Sequence, residues 1–219
     1  MSTVGGGVNI VTDGLVLYLD AANTKSYMSG STTWSDLSRS GNNGTLVNGP
    51  TFNSGNGGSI VFDGVDDFVR SNLTKTQIGS NLTLSIWVKF NGSQTTRGIL
   101  QIANSLNDTQ PFILLQRQSD TIRWYINGDY RITNNINNLT YFNLTITYNG
   151  TVWVAYLNSI LNGSYTGPLG TSSGNFTWFG NGFNGYSTCN ISQTLIYNRA
   201  LTPQEVLQNY NATKTRFGL

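Results

Sequence analysis

The chain has 219 residues, of which only 10% are charged, and it carries a net charge of +2 with no histidine and one cysteine. That balance argues against nucleic acid, which wants lysine and arginine clustered on one face; the nearest approach here is Lys214-Thr215-Arg216. Nothing resembles the run of about 20 apolar residues that a membrane-spanning helix needs, and Cys189 has no second cysteine with which to form an intrachain disulfide.

Residues 1–12 read as a flexible lead, because the three glycines at 5–7 have nothing to bury. The lead lacks the charged and apolar segments of a signal peptide. Residues 13–219 read as one domain. A first apolar run spans 15–19. Strand signals at 60–62 and 68–69 flank the turn Asp63-Gly64-Val65-Asp66. The clearest strand is 82–90, where Leu82, Leu84, Ile86, Val88 and Phe90 alternate onto one face. Further strands are predicted at 98–103, 112–116, 121–126, 142–148, 152–157 and 194–197. Asn149-Gly150 is the sharpest hairpin signal, and Asn127-Gly128 marks another turn. The Gly- and Asn-rich stretches 40–58 and 162–186 read as long loops.

Near the C-terminus, Thr202-Pro203-Gln204-Glu205 is a capping box with proline at the first helical position. Val206, Leu207 and Tyr210 follow at helical spacing. One short helix is predicted, and it must dock on the sheets to persist. Many short strands punctuated by turns predict an all-β fold, an antiparallel two-sheet sandwich with that single helix.

The order of motifs is distinctive. Asp13-Gly14-Leu15-Val16-Leu17-Tyr18-Leu19-Asp20-Ala21 opens the domain. Trp34-Ser35-Asp36-Leu37-Ser38 and Gly41-Asn42-Asn43-Gly44-Thr45 come next, then Ile60-Val61-Phe62-Asp63-Gly64-Val65-Asp66-Asp67-Phe68-Val69. The tryptophan-bearing strand at 84–88 follows, and Ile196-Tyr197-Asn198-Arg199-Ala200-Leu201-Thr202-Pro203-Gln204-Glu205-Val206 closes the series. This succession resembles the laminin-G-like (pentraxin-like) branch of the concanavalin A-like lectin/glucanase superfamily, over residues 13 to 210. The resemblance implies a jelly roll of two curved sheets whose concave face or edge loops carry a ligand. It implies that Trp34 anchors its loop to the body, and that a strand runs through 177–180 with Trp178 or Phe179 in the core. It also implies a calcium site after the strand at 98–103, where the matching residues are Asn107 and Asp108. Calcium takes six to eight oxygen ligands, and a plain Asn/Asp turn is the alternative there. The composition is similar to that of virion components of tailed bacteriophages, such as fibres and capsid decoration proteins, which implies a place on the particle surface.

The fold also serves glycoside hydrolases, which need two carboxylates flanking the scissile bond. This chain has a single glutamate, Glu205, inside the capping box. Asp66 and Asp67 are adjacent, so in a strand they would face opposite ways. With no histidine and no paired carboxylates, proton shuttling has few candidates, and the expectation is a protein that is not an enzyme.

Sugar binding uses ring faces and amides. The segment 176–186 carries both, and Trp178, Phe183, Asn184 and Tyr186 are the candidate ligand residues there. Arg123 and Trp124 join them if their strand lines the concave face. Trp87 and Trp153 read as core. The expected function is non-catalytic, lectin-like carbohydrate binding, with glycans or host cell-surface polysaccharide as partner. The alternative is a structural virion component that assembles with other virion proteins or with copies of itself through the same loops.

Overall fold

The computed structural model describes residues 9–219 except 93–95, 107, 110, 120, 127–128, 133–135, 137–139 and 171–172, and the backbone alone of 125–126 and 129–132. In chain order the first strands are β1 (Leu15–Asp20), β2 (Thr33–Trp34), β3 (Gly44–Val47), β4 (Thr51–Asn53), β5 (Ser59–Asp63) and β6 (Phe68–Ser71). After a one-turn helix α1 (Lys75–Ile78) come β7 (Leu82–Phe90), β8 (Arg97–Ala103), β9 (Ile113–Gln118), β10 (Thr121–Ile126), β11 (Asp129–Ile132) and β12 (Phe142–Tyr148). β13 (Val152–Leu157), β14 (Ile160–Thr166), β15 (Phe176–Phe179), β16 (Asn181–Gly182), β17 (Gly185–Tyr186) and β18 (Thr188–Tyr197) complete the set, followed by α2 (Pro203–Thr213).

Two antiparallel sheets account for most of these strands. The first runs β14-β13-β12-β7-β18-β5-β4. The N-terminal half of β18 pairs with β5 (Ile191 opposite Ile60), and its C-terminal half pairs with β1 (Gln193 opposite Asp20). The second runs β11-β10-β9-β8-β15-β6-β3-β2. Between the sheets lies a continuous core that includes Leu84, Ile86 and Val88 from the first and Leu100, Ile102 and Leu115 from the second. Each such side chain contributes about 1.5–3 kcal/mol by leaving water.

The predicted alternation in β7 is present, yet its other face is buried too. Trp87 and Tyr197 on that outer face are covered by α2 and the 3₁₀ turn Lys214–Phe217. Trp87 is therefore buried under the C-terminal segment, whereas Trp153 belongs to the intersheet core. Trp34 is fully buried in that core, anchoring its loop. The loop fastens onto the edge of β1: Tyr18 N donates to Asp36 Oδ1 at 2.8 Å, and Leu37 N donates to Tyr18 O at 2.8 Å. An otherwise unpaired strand edge is covered in this way.

Several expectations need correction. The stretches 40–58 and 162–186 hold strands β3, β4, β16 and β17 and most of β14, because paired backbones and glycine-permitted turns offset weak side-chain signals, while β15 is the strand that the resemblance implies through 177–180. The Asn149-Gly150 hairpin turns one residue later, on Gly150 (φ +95) and Thr151, closed by Asn149 N to Val152 O at 3.3 Å. Glycine at the first central position is what that turn type requires. The Asn127-Gly128 turn lies outside the described residues. Of the lead, residues 1–8 also lie outside them, but the packed body begins before residue 13. Val11 N donates to Asn209 Oδ1 at 2.8 Å and Tyr197 Oη donates to Val11 O at 2.9 Å. The capping box of α2 is present. Val206 is buried, while Leu207 is exposed and Asn209 takes the inward position beside Val11.

Candidate functional site

A short hairpin laid over the outer face of the second sheet carries the candidate residues. The chain leaves β15 at Phe179 and turns at Gly180 with φ +77, a left-handed value that glycine adopts readily. A Cβ at Gly180 would lie 2.2 Å from the Phe62 ring, so the position admits nothing larger. Three hydrogen bonds fasten the base: Gly180 N to Ile99 O at 2.8 Å, Ser187 N to Gly180 O at 2.9 Å, and Ser187 Oγ to Gly98 O at 2.6 Å. β16 and β17 pair Asn181 with Tyr186 and Gly182 with Gly185. They cross the sheet backbone on backbone at Gly98, where β8 carries a register shift. Such bulges re-aim the chain beside functional surfaces.

The hairpin presents Phe183, 41% exposed, with Asn184 and Tyr186 half-buried beside it. Arg97 supports the tip, its Nη1 donating to Thr96 O at 2.8 Å and more weakly to Asn184 O at 3.4 Å. Arg97 forms no ion pair among the described residues. An exposed ring beside an amide and a guanidinium can stack on one face of a flat polyhydroxylated ligand and donate to its oxygens. Arg97 was not among the residues singled out from sequence. Only the fold brings the start of β8 under residue 184.

Beneath the hairpin the sheet is amide-rich. Gln116 pairs in register with Gly98 and Gln101 with Leu114, and both glutamines are fully buried. Gln101 Nε2 donates to Leu106 O at 2.9 Å. The Gln101 Oε1, both Gln116 amide atoms and the Asn181 Oδ1 have no partner among the described residues. Arg123 is half-buried on this same face, in register with Gln116.

The structure therefore brings Phe183, Asn184 and Tyr186 together, with Arg123 on the sheet face nearby. Trp178 also belongs to that face, in register with Gln101 and Arg70, but it is buried, edge-on to Phe176 at 5.5 Å. It supports the surface and is not open to a ligand; Phe179 is its core-facing neighbour. Trp124 corrects the sequence reading. It pairs with Leu115, points into the intersheet core and is 3% exposed, because β10 turns Arg123 outward instead.

For a metal, Asn107 lies outside the described residues. Asp108 Oδ2 accepts the Asn104 N–H at 3.0 Å, as in a plain turn. A different trio, Asp63, Asp66 and Asp67, places three carboxylates within 4.8 Å of one another. These are hard oxygen donors of the kind calcium takes. Asp67 is buried, and desolvation together with its acidic neighbours raises its pKa.

Glu205 lies away from the hairpin, in α2, and Cys189 lies in the intersheet core. Arg199 donates to both Glu205 oxygens, at 2.9 and 2.6 Å, and pulls the carboxyl down to about 2. Burial pushes the Cys189 thiol up to about 12, leaving it protonated.

A comparison of the sequence with curated proteins found no match. Among solved structures, the chain is similar to the binding domain of paraclostridial mosquitocidal protein 1, with a TM-score of 0.71 and 18% identity over 92% of this chain and 52% of that one. It is similar to the botulinum neurotoxin serotype D ligand binding domain, solved with N-acetylneuraminic acid, with a TM-score of 0.71 and 18% identity over 91% and 51%. It is also similar to Trypanosoma rangeli sialidase in complex with sialic acid, with a TM-score of 0.72 and 16% identity over 99% of this chain and 36% of the enzyme. The chain spans about half of each toxin domain and about a third of the sialidase, and identities this low show the fold alone. A family model matches residues 62–207, from the Phe62-Asp63-Gly64 motif to the middle of α2. The order of strands and that match agree, and the chain belongs to the concanavalin A-like lectin/glucanase superfamily, in its laminin-G-like branch.

Proposed function

We propose that this chain is a non-catalytic, lectin-like module that binds glycans through the β16–β17 hairpin. The observation that carries the reading is Phe183, a large ring exposed between glycines at the tip of a hairpin fixed at its base, beside Asn184 and Arg97. Phe183 stacks on the apolar face of a sugar ring, the Asn184 amide and the Arg97 guanidinium meet its oxygens, and Tyr186 braces the platform. Two of the similar structures, the toxin ligand binding domain and the sialidase, were solved with sialic acids, and that likeness lends support to a saccharide ligand. The non-catalytic half of the reading draws support from Glu205, whose carboxylate is held by Arg199. The setting we infer is the surface of a phage particle facing host polysaccharide, supported by the compositional likeness alone.

The test is retention of the purified protein on an array of bacterial surface polysaccharides, with Phe183→Ala and Tyr186→Ala beside it. Losing one stacking ring is expected to weaken retention roughly tenfold, the order of 1–2 kcal/mol. Equal retention by both variants removes the hairpin from the function. Release of sugar fragments by the protein overturns the non-catalytic reading.

A further inference from the structure

A cleft of about 850 Å³ opens on the opposite side of the sandwich, over the outer face of the first sheet. Its walls are the ordered N-terminal residues 9–12, the loop that covers the edge of β1, and the last turn of α2. Its volume falls in the range of small-ligand sites, roughly 300–1,000 Å³. Tyr18 forms part of the lining, half-buried, with its hydroxyl turned toward Asp20 at 3.4 Å. Thr12, Ser38 and Thr213 line it with hydroxyls.

Arg39 is the only charged one among the described residues of that lining. It is exposed, and its φ of +76 lies in the left-handed region that disfavours every side chain except glycine's hydrogen. A loop selected for shape alone would be easier to close with glycine or asparagine at that point. The Arg39 guanidinium forms no ion pair among the described residues. The carboxylates nearest in sequence are already engaged. Asp36 accepts from Tyr18 N, Ser38 N, Ser38 Oγ and Asn42 N, at 2.8, 2.9, 2.8 and 2.9 Å. Asp20 holds Arg216 at 2.8 Å and Gln193 Nε2 at 3.0 Å. Strain at a site-lining residue is the pattern of function held against local preference.

We propose that this cleft is a second saccharide site, specific for a short oligosaccharide that carries a carboxylate. The Arg39 fork takes the carboxylate, Tyr18 offers its ring to the sugar, and the Thr12 hydroxyl meets the sugar's own hydroxyls. A guanidinium fork matches a carboxylate with two parallel hydrogen bonds. The proposal shares the glycan reading of the module but uses none of the hairpin residues. With sites on opposite sheets, one molecule would bridge two glycan chains.

The experiment uses immobilised uronic-acid oligosaccharides and the same sugars with their carboxyl groups reduced. The protein is tested in a Phe183→Ala background, which removes the hairpin's stacking ring and weakens its share of the binding. Retention of the acidic forms is expected, with the reduced forms held roughly tenfold less well, the scale of one charge-assisted contact. Arg39→Gly relieves the left-handed strain, so its Tm is expected to hold or rise while retention of the acidic forms falls to that of the reduced ones. Ala212→Trp fills the cleft from the helix side and is expected to abolish both. Retention that both cleft variants leave unchanged overturns the site, and equal retention of acidic and reduced sugars overturns its specificity. If the protein without Phe183→Ala binds sugars and the background variant binds none, the hairpin reading stands and the cleft fails. If neither binds any sugar, both readings fall.

Discussion

Gly98 and Gly182 meet with no side chain between them: a Cβ built on Gly98 would lie 2.2 Å from the Gly182 Cα and 2.6 Å from the Asn181 carbonyl carbon. Those atoms belong to backbone held by the hydrogen bonds at the hairpin's base, so they cannot turn aside as a flexible side chain would. Gly98→Ala is therefore expected to lift the hairpin off the sheet. The expected cost is about 1–3 kcal/mol, the range of an overpacked core, seen in urea denaturation together with loss of glycan retention. Gly163→Ala in β14, where an added Cβ meets nothing within 4 Å, is the control and is expected to change neither. A Gly98→Ala protein with unaltered stability and retention would show that the hairpin does not rest on this contact.

One ring makes three of the contacts that fix the C-terminal segment. Trp87 stacks on Phe217 at 4.1 Å between centroids and on Tyr210 at 5.6 Å, and its Nε1 donates to Thr213 Oγ1 at 2.9 Å. Trp87→Ala removes all three contacts from the outer face of the central strand. A loss of about 3–5 kcal/mol is expected. Amide exchange should then show α2 and the 3₁₀ turn opening well before the sheets. Uniform exchange across the fold would mean that other contacts anchor the helix.

The sequence made the sandwich legible where side chains carry the signal: the alternation of β7 and the Thr202–Glu205 capping box both stand in the structure. It left β3 and β14 obscure, because glycine, asparagine, serine and threonine interrupt their apolar residues, and β15 was expected only from the family resemblance. The Leu157–Ile160 hairpin turns through Asn158 and Ser159 at φ +50 and +64, a shape usually announced by Asn-Gly. For the site, the hairpin aromatics could be read from their glycine neighbours. The facing of Trp124 could not, since alternation fixes which residues share a face but not which face is inside. Arg97 and Arg39 escaped notice because an isolated arginine has no pattern; only the register of β8 and the backbone angle at 39 mark them.

Acid should weaken the docking of α2 through Glu205. Its carboxyl is held near 2, below the ordinary 4.5, chiefly by its hydrogen bonds with Arg199. A depressed pKa gives stability that is fully present above the ordinary value and is lost as pH falls toward the folded one. Glu205→Gln keeps a capping side chain but removes the charge, so a loss of about 1 kcal/mol is expected at neutral pH, shrinking toward zero near pH 2. Parallel stability curves for the two proteins from neutral pH to acid would show that the pair contributes nothing.

Asp67 should act with the opposite sign. Its pKa is raised, first by burial and then by the charges of Asp63 and Asp66, although the Asp63 N–H donated to Oδ2 at 3.1 Å works the other way. With the folded pKa above the unfolded one, the unfolded chain gives up its proton first as pH rises. Stability is then lost on passing upward through the window between the ordinary carboxylate value and the raised one. Asp67→Asn can still accept the Asp63 N–H but carries no charge. It is expected to stabilise the protein at neutral pH by roughly 0.5–1 kcal/mol, the scale of a single partly screened charge contact. It should also flatten the downward slope just above the ordinary carboxylate range. A destabilised Asp67→Asn protein at neutral pH would mean that the buried carboxylate is held by a favourable contact, and a cation bridging Asp63, Asp66 and Asp67 would then be the first to test by calcium titration of the Tm.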